Sequence, residues 1–142
     1  MPHSAFEGYI LQIAPRAGLS WIKATSKKVE TGSYGQQLKS AFDTMEQKLA
    51  ATYGRQKKHD FLMHESIWSE PRDWMQSLLS KERVLLAEWS KETGASLTDS
   101  LSSVALVIDA YDTSSGFFAI EYYFENSVLA DAEIAALEDD AL

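Results

Sequence analysis

The fold is decided by the stretch LSSVALVIDAYDTSSGFFAIEYYFE, which runs from Leu101 to Glu125. Residues 101–111 and 117–125 are rich in β-branched and aromatic side chains, and the residues between them favour a turn. The stretch therefore predicts a long antiparallel hairpin with its loop at residues 112–116. If Tyr111 lies opposite Phe117, then Ile108 lies opposite Ile120.

This register sorts the side chains of the hairpin onto two faces, because neighbours along a strand point in opposite directions. The even-numbered face, which includes Val104, Leu106 and Ile120, is apolar throughout and must cover the core. The odd-numbered face mixes carboxylates with aromatic rings. It supplies the residues that we predict to bind a partner, namely Asp109, Tyr111, Glu121, Tyr123 and Glu125.

A long helix is predicted between Tyr34 and Tyr53, where apolar residues recur at steps of three and four positions. Ser33 and Gln36 have the spacing of a capping box, and Gly54 suits the left-handed position that often ends a helix. Both ends of this helix are therefore marked in the sequence.

Shorter patterns complete the fold. Two β-prone runs at 9–13 and 19–24 predict a first hairpin, and further strands are predicted at 59–64 and 83–89. Pro71 opens a short second helix. Residues 128–142 predict a short C-terminal helix with a frayed acidic end. We expect one globular α+β domain over residues 1–142. A mostly antiparallel sheet of five to six strands carries the long and the short helix on one face, and its other face is left partly open.

The composition is that of a globular protein, with 45% hydrophobic and 24% charged residues among 142. Because there is no cysteine, disulfides and thiolate metal sites are excluded. No stretch is long and apolar enough for a transmembrane helix, and the first residues lack the basic and apolar segments of a signal peptide. The sequence therefore predicts a cytoplasmic protein that does not insert into a membrane.

Charge is distributed unevenly along the chain, whose formal net charge is −8. Residues 101–142 contain nine Asp and Glu residues and neither Lys nor Arg. This distribution disfavours binding to nucleic acid, and it favours electrostatic steering of a basic protein partner.

Motifs for catalysis and cofactor binding are not found. The seven glycines form neither of the usual phosphate-binding loops, and there is no nucleophile elbow. His59 and His64 are five residues apart, a spacing that suits neither one face of a helix nor one face of a strand. We therefore predict no cofactor, no metal and no catalytic residue.

One carboxylate pair leaves open the alternative that the protein is an enzyme. In the predicted register Asp109 and Glu121 are diagonal neighbours, and two nearby carboxylates can divide the roles of acid and base. An ion pair with Arg83 or Lys91 on a neighbouring strand is the more ordinary role for such residues.

Several functions fit these features. The leading hypothesis is a small acidic protein that binds or inhibits a basic protein, such as a bacterial immunity protein that neutralises a basic toxin. The alternatives are a small hydrolase-like enzyme with a non-standard Asp/Glu or His site, a structural protein that forms homodimers, and a secretion chaperone.

Overall fold

A computed structural model of the chain describes residues 6–14, 18–97, 100–125, 132 and 134–136. Its elements are, in chain order, β1 (Phe6–Ala14), β2 (Gly18–Ser26), β3 (Val29–Glu30), α1 (Gln36–Tyr53), β4 (Lys57–Leu62), α2 (Trp74–Leu79), β5 (Arg83–Ser90), β6 (Leu101–Asp112) and β7 (Ser115–Phe124). Short 3-10 helices at Pro71–Asp73 and Lys91–Thr93 precede α2 and follow β5. The predicted α+β class is confirmed.

The strands form one antiparallel sheet in the order β1-β2-β7-β6-β5-β4, and β3 adds a short seventh strand beside β7. The expected five to six strands correspond to the six long ones. The two residues of β3 are too few to show a strand period in the sequence. Because β2 pairs with β7, the N-terminal hairpin lies directly against the hairpin formed by β6 and β7.

Both helices pack on one face of the sheet, as predicted, and the core lies between them and the strands. The predicted helical stripe is buried at Leu38, Phe42, Met45 and Leu49. These side chains meet those of α2 and the even-numbered side chains of β6 and β7, which include Leu106 and Ile120. The described residues that form this cluster make one continuous core.

The start of α1 differs from the prediction. The N-cap is Gly35, which has a left-handed backbone with φ of 68°, and no side chain caps the helix, so the predicted capping box of Ser33 and Gln36 is wrong. A Cβ at position 35 would overlap the Trp74 ring. Close packing against α2 therefore decides this turn rather than the local capping motif. Tyr34 precedes α1 and is exposed.

The register of the β6–β7 hairpin also differs, by two residues. Ile108 lies opposite Phe118 rather than Ile120, and Asp112 lies opposite Ser115 across a tight turn. The turn is closed by Asp112, whose Oδ1 accepts hydrogen bonds from the Ser114 amide at 2.8 Å and the Ser115 hydroxyl at 2.9 Å. Because the shift is an even number, the side chains of residues 103–110 and 116–123 stay on their predicted faces. Leu101 lies beyond a register irregularity, opposite Phe124, and packs against the core.

Two further expectations concern helices. Pro71 opens the 3-10 turn that leads into α2, as predicted. Of the predicted C-terminal helix, Ala132 and residues 134–136 are helical, and the other residues of 128–142 lie outside the described residues.

In the part of the chain that the structure describes, no helix has the length and apolarity needed to cross a lipid bilayer.

Candidate protein-binding face

The candidate site is the face of the sheet opposite α1 and α2, which we call the open face. Side chains of paired residues share a face, so the register assigns its members in rows that run across the sheet. One row contains Trp21, Tyr123, Ser103 and Ser90; the next contains Lys23, Glu121, Ala105, Glu88 and Lys57; the third contains Thr25, Ala119, Val107, Leu86 and His59. Except for Ala119, which is buried, and Lys57, which is exposed, these side chains are half-buried.

The structure brings four of the five predicted partner-binding residues onto this face. Asp109, Tyr111, Glu121 and Tyr123 occupy the odd-numbered positions of β6 and β7, away from the core. Glu125 follows the end of β7 and is exposed, and its amide donates a hydrogen bond to the Ser100 carbonyl at 2.7 Å.

The carboxylates of the open face have cations beside them within the same chain. Asp109 forms an ion pair with Lys81. Glu121 lies directly opposite Lys23 of β2. Neither of the expected partners is used, because Arg83 lies on the helix side of the sheet, opposite Leu62, and Lys91 lies in the 3-10 helix after β5. The interior of the open face is therefore nearly balanced in charge.

The actual register also separates Asp109 from Glu121. Asp109 lies opposite Phe117, and Glu121 follows Phe117 by four residues, which corresponds to about 13 Å along a strand. The predicted diagonal pair does not form. This separation exceeds the roughly 5–9.5 Å that paired catalytic carboxylates span in glycosidases.

Aromatic pairs lie at the two ends of the β7 strand. Tyr111 and Phe117 have ring centroids 5.0 Å apart, and Trp21 and Tyr123 have centroids 6.4 Å apart. Aliphatic side chains, such as Val107 and Leu86, lie between these pairs. The open face thus has an aromatic pair at each end of β7, with aliphatic and charged side chains between them. Aromatic rings are enriched at protein interfaces.

Exposed carboxylates lie next to both aromatic pairs. Asp112 is exposed beside Tyr111, and Glu125 is exposed two residues after Tyr123. No ion pair of either carboxylate is formed with the residues that the structure describes. Hydrogen bonds from the Ser114 amide and from the Ser115 and Ser114 hydroxyls lower the pKa of Asp112, so it is ionised at neutral pH.

Trp21 and Lys23 are among the residues of this face that sequence reasoning missed. Their alternation with Ile22 and Ala24 marks a strand, but it does not reveal that β2 lies beside β7. The indole Nε1 of Trp21 is buried and donates no hydrogen bond to a described residue. An unpaired buried donor of this kind costs about 1–3 kcal/mol.

His59 and His64, the two histidines among the described residues, do not come together. His59 contacts Glu88 at 3.3 Å on β4 and β5, and His64 is exposed beyond the end of β4. Within the described ranges there is no group of three or more His, Asp or Glu side chains arranged to hold a metal ion.

Comparison of the chain with family models, with curated proteins and with solved structures finds no match in any of the three.

Proposed function

We propose that this chain is a protein-binding protein that docks on a basic partner through its open face, in the manner of a small inhibitor such as an immunity protein. The observation that carries the proposal is that each end of β7 on the open face has an aromatic pair with an exposed carboxylate beside it. Rings with exposed edges supply contact area, and carboxylates at the rim accept hydrogen bonds from Arg and Lys.

The charge of the whole chain supports a basic partner. Nine acidic residues and no basic ones follow position 100, and the hairpin that builds the open face lies in this segment. The cations that lie beside the carboxylates of the open face leave little net charge at its centre, so steering depends on the total of −8 and on the rim. We thus assign the contact energy to the open face, and the electrostatic steering to its rim and to the net charge of the chain.

Matched tyrosines provide the first test. Tyr111 and Tyr34 are each 51% exposed, but Tyr111 lies on the open face and Tyr34 precedes α1. The native chain, Tyr111→Ser and Tyr34→Ser are immobilised and exposed to lysate of the source organism, and captured proteins are identified by mass spectrometry. We expect a basic protein whose capture falls about tenfold or more with Tyr111→Ser and stays unchanged with Tyr34→Ser.

Charge and salt provide the second test on the same captured protein. Glu125→Lys reverses an exposed charge at the rim, and Glu65→Lys reverses an exposed charge in the loop after β4. Glu125→Lys and about 0.5 M salt should both slow association, whereas Glu65→Lys should have little effect. Capture that is equal for Tyr111→Ser and Tyr34→Ser, or a partner that is not basic, overturns the proposal.

A further inference from the structure

A second surface feature lies on the opposite side of the sheet from the open face. It is a cleft of about 410 Å³ between the start of α1, the strands β4 and β5, and the segment that leads into α2. Its lining residues are Lys39, Asp43, Lys58, Asp60, Ser69, Glu70, Pro71, Trp74, Arg83 and Leu85. We call it the Trp74 cleft.

Two cations meet at the Trp74 ring inside this cleft. The Lys39 ammonium lies 4.5 Å from the ring centroid, and the Arg83 guanidinium carbon lies 5.6 Å from a ring centroid of the same indole. Trp74 itself is only 5% exposed. The ring therefore acts as a fixed support on which both cations are held.

Arg83 is held in place by a hydrogen-bond chain that passes through the buried Ser77. Its Nε donates to the Ser77 hydroxyl at 2.8 Å, and this hydroxyl donates to the Trp74 carbonyl at 2.6 Å. Ser77 is fully buried, so the chain does not depend on solvent. Only one of the five N–H groups of the guanidinium is used within the described structure, and the other four remain able to donate.

The other charges of the cleft are largely compensated. Lys58 pairs with Glu46 at 3.5 Å and with Asp43 at 3.9 Å, and Glu70 pairs with Arg72 at 2.9 Å. Lys39, Arg83 and Asp60 form no ion pair with any described residue. These three uncompensated charges sum to one positive charge.

The surroundings of Lys39 in the cleft disfavour its charged form. Burial and the nearby Arg83 lower the pKa of its ammonium, and Asp60 and Asp43 oppose that effect only in part. A negative group placed between Lys39 and Arg83 would relieve the repulsion and accept hydrogen bonds from both side chains.

We propose that the Trp74 cleft binds a small organic anion whose phosphate or carboxylate group lies between Lys39 and Arg83. Both groups are planar or tetrahedral oxyanions that a fixed guanidinium fork and an ammonium can share. The volume exceeds that of the charged group alone, and Pro71 and Leu85 provide apolar wall for the rest of the ligand. This site is separate from the open face, so each proposal can fail without the other.

The test uses the full chain with inorganic phosphate and with acetate as probes at constant ionic strength. Amide and indole resonances are followed by NMR during each titration. We expect saturable shifts at Trp74 and Arg83 with phosphate, with acetate or with both, and the probe that binds more tightly identifies the favoured group. Sodium chloride over the same range should not reproduce these shifts.

Variants make the assignment specific to the two cations. Lys39→Met removes one cation, and Arg83→Lys keeps the charge but removes the guanidinium fork; each should weaken binding at least tenfold. Lys48→Met is the matched control, because Lys48 is an exposed lysine of the same helix outside the cleft, and it should bind like the native chain.

A measurement on the native chain keeps the proposal testable if a variant fails to fold. Bound phosphate or acetate should raise the pKa of the Lys39 ammonium, which is read from the side-chain carbon resonance next to it. Shifts that do not saturate, shifts that chloride reproduces, or an unchanged Lys39 pKa at saturation overturn the proposal.

Discussion

At the scale of single residues, two tryptophans show that a buried indole N–H does not always donate a hydrogen bond. Trp89 is fully buried, and its Nε1 donates to the Gly54 carbonyl at 3.0 Å. Trp21 has a buried Nε1 that donates no hydrogen bond to a described residue. The same side chain is thus fully satisfied at one position and leaves a donor unpaired at the other.

This contrast gives a prediction for Trp→Phe substitutions. Trp89→Phe should lower the free energy of unfolding by about 2–3 kcal/mol, because it removes a hydrogen bond and leaves a cavity in the core. Trp21→Phe should lower it by less than about 1 kcal/mol, because removing the unpaired donor offsets the lost ring contact with Tyr123. Urea unfolding followed by far-ultraviolet circular dichroism measures both values. Equal decreases in the free energy of unfolding for the two variants would show that Trp21 Nε1 has a hydrogen-bond acceptor in solution.

At the scale of elements, the turn between β6 and β7 depends on one carboxylate. Asp112 accepts hydrogen bonds from the Ser114 amide and from the Ser114 and Ser115 hydroxyls, and these hold its pKa below the usual 3.8. A carboxyl whose pKa is lower in the folded state stabilises the fold above its unfolded pKa. This stabilisation is lost as the pH falls through the lower, folded value.

We therefore expect Asp112→Ala to destabilise the chain at pH 7 and to approach the native stability on acidification. The difference in urea midpoint should be constant down to about pH 5 and should shrink as the pH falls below the usual aspartate range. Glu65→Ala is the control, since Glu65 is exposed and its side chain forms no ion pair with any residue that the structure describes. A difference that is unchanged at pH 2 would mean that the turn does not depend on ionised Asp112.

The same hairpin shows what sequence can and cannot predict about elements. Alternation along 101–111 and 117–125 was sufficient for two strands and for the correct face of the side chains that lie between the two register irregularities. It was not sufficient for the register, because the expected loop at 112–116 included Gly116, which belongs to β7. A Cβ there would lie 2.5 Å from the Asp109 carbonyl oxygen and 2.8 Å from Leu38 Cδ2, so the glycine is required by packing and does not mark a turn.

Long-range contacts limited the prediction of the site in a similar way. Asp109, Tyr111, Glu121 and Tyr123 could be placed on one face from their odd positions alone. Their neighbours on β2 and before β5, namely Lys23 and Lys81, could not be identified, because strand order depends on contacts far apart in the chain. The predicted acidic face is consequently observed as a face on which cations lie beside the carboxylates, and the exposed carboxylates Asp112 and Glu125 lie at its rim.

At the scale of the whole molecule, the core joins elements from distant parts of the chain. Phe42 of α1, Met75 of α2, Trp89 of β5 and Leu106 of β6 are all essentially inaccessible to solvent and belong to one cluster. By contrast, β1 is an edge strand whose apolar side chains are largely exposed, including Ile13 at 63%. The helices and central strands therefore depend on each other for burial, and β1 depends on them least.

This arrangement predicts a single cooperative unfolding transition for the chain. Circular dichroism, which reports on the helices and strands, and tryptophan fluorescence, which is dominated by buried rings, should give the same midpoint in heat and in urea. The calorimetric enthalpy should equal the van't Hoff enthalpy and be on the order of 100 kcal/mol near 60 °C for a chain of this length. Ile13→Thr, which changes an exposed position on β1, should leave the midpoint nearly unchanged. Phe42→Ala should lower the free energy of unfolding by about 3–5 kcal/mol, and both probes should report the same decrease. Two separate transitions, or a Phe42→Ala variant in which only the helical signal shifts, would show that the helices and the sheet do not share one core in solution.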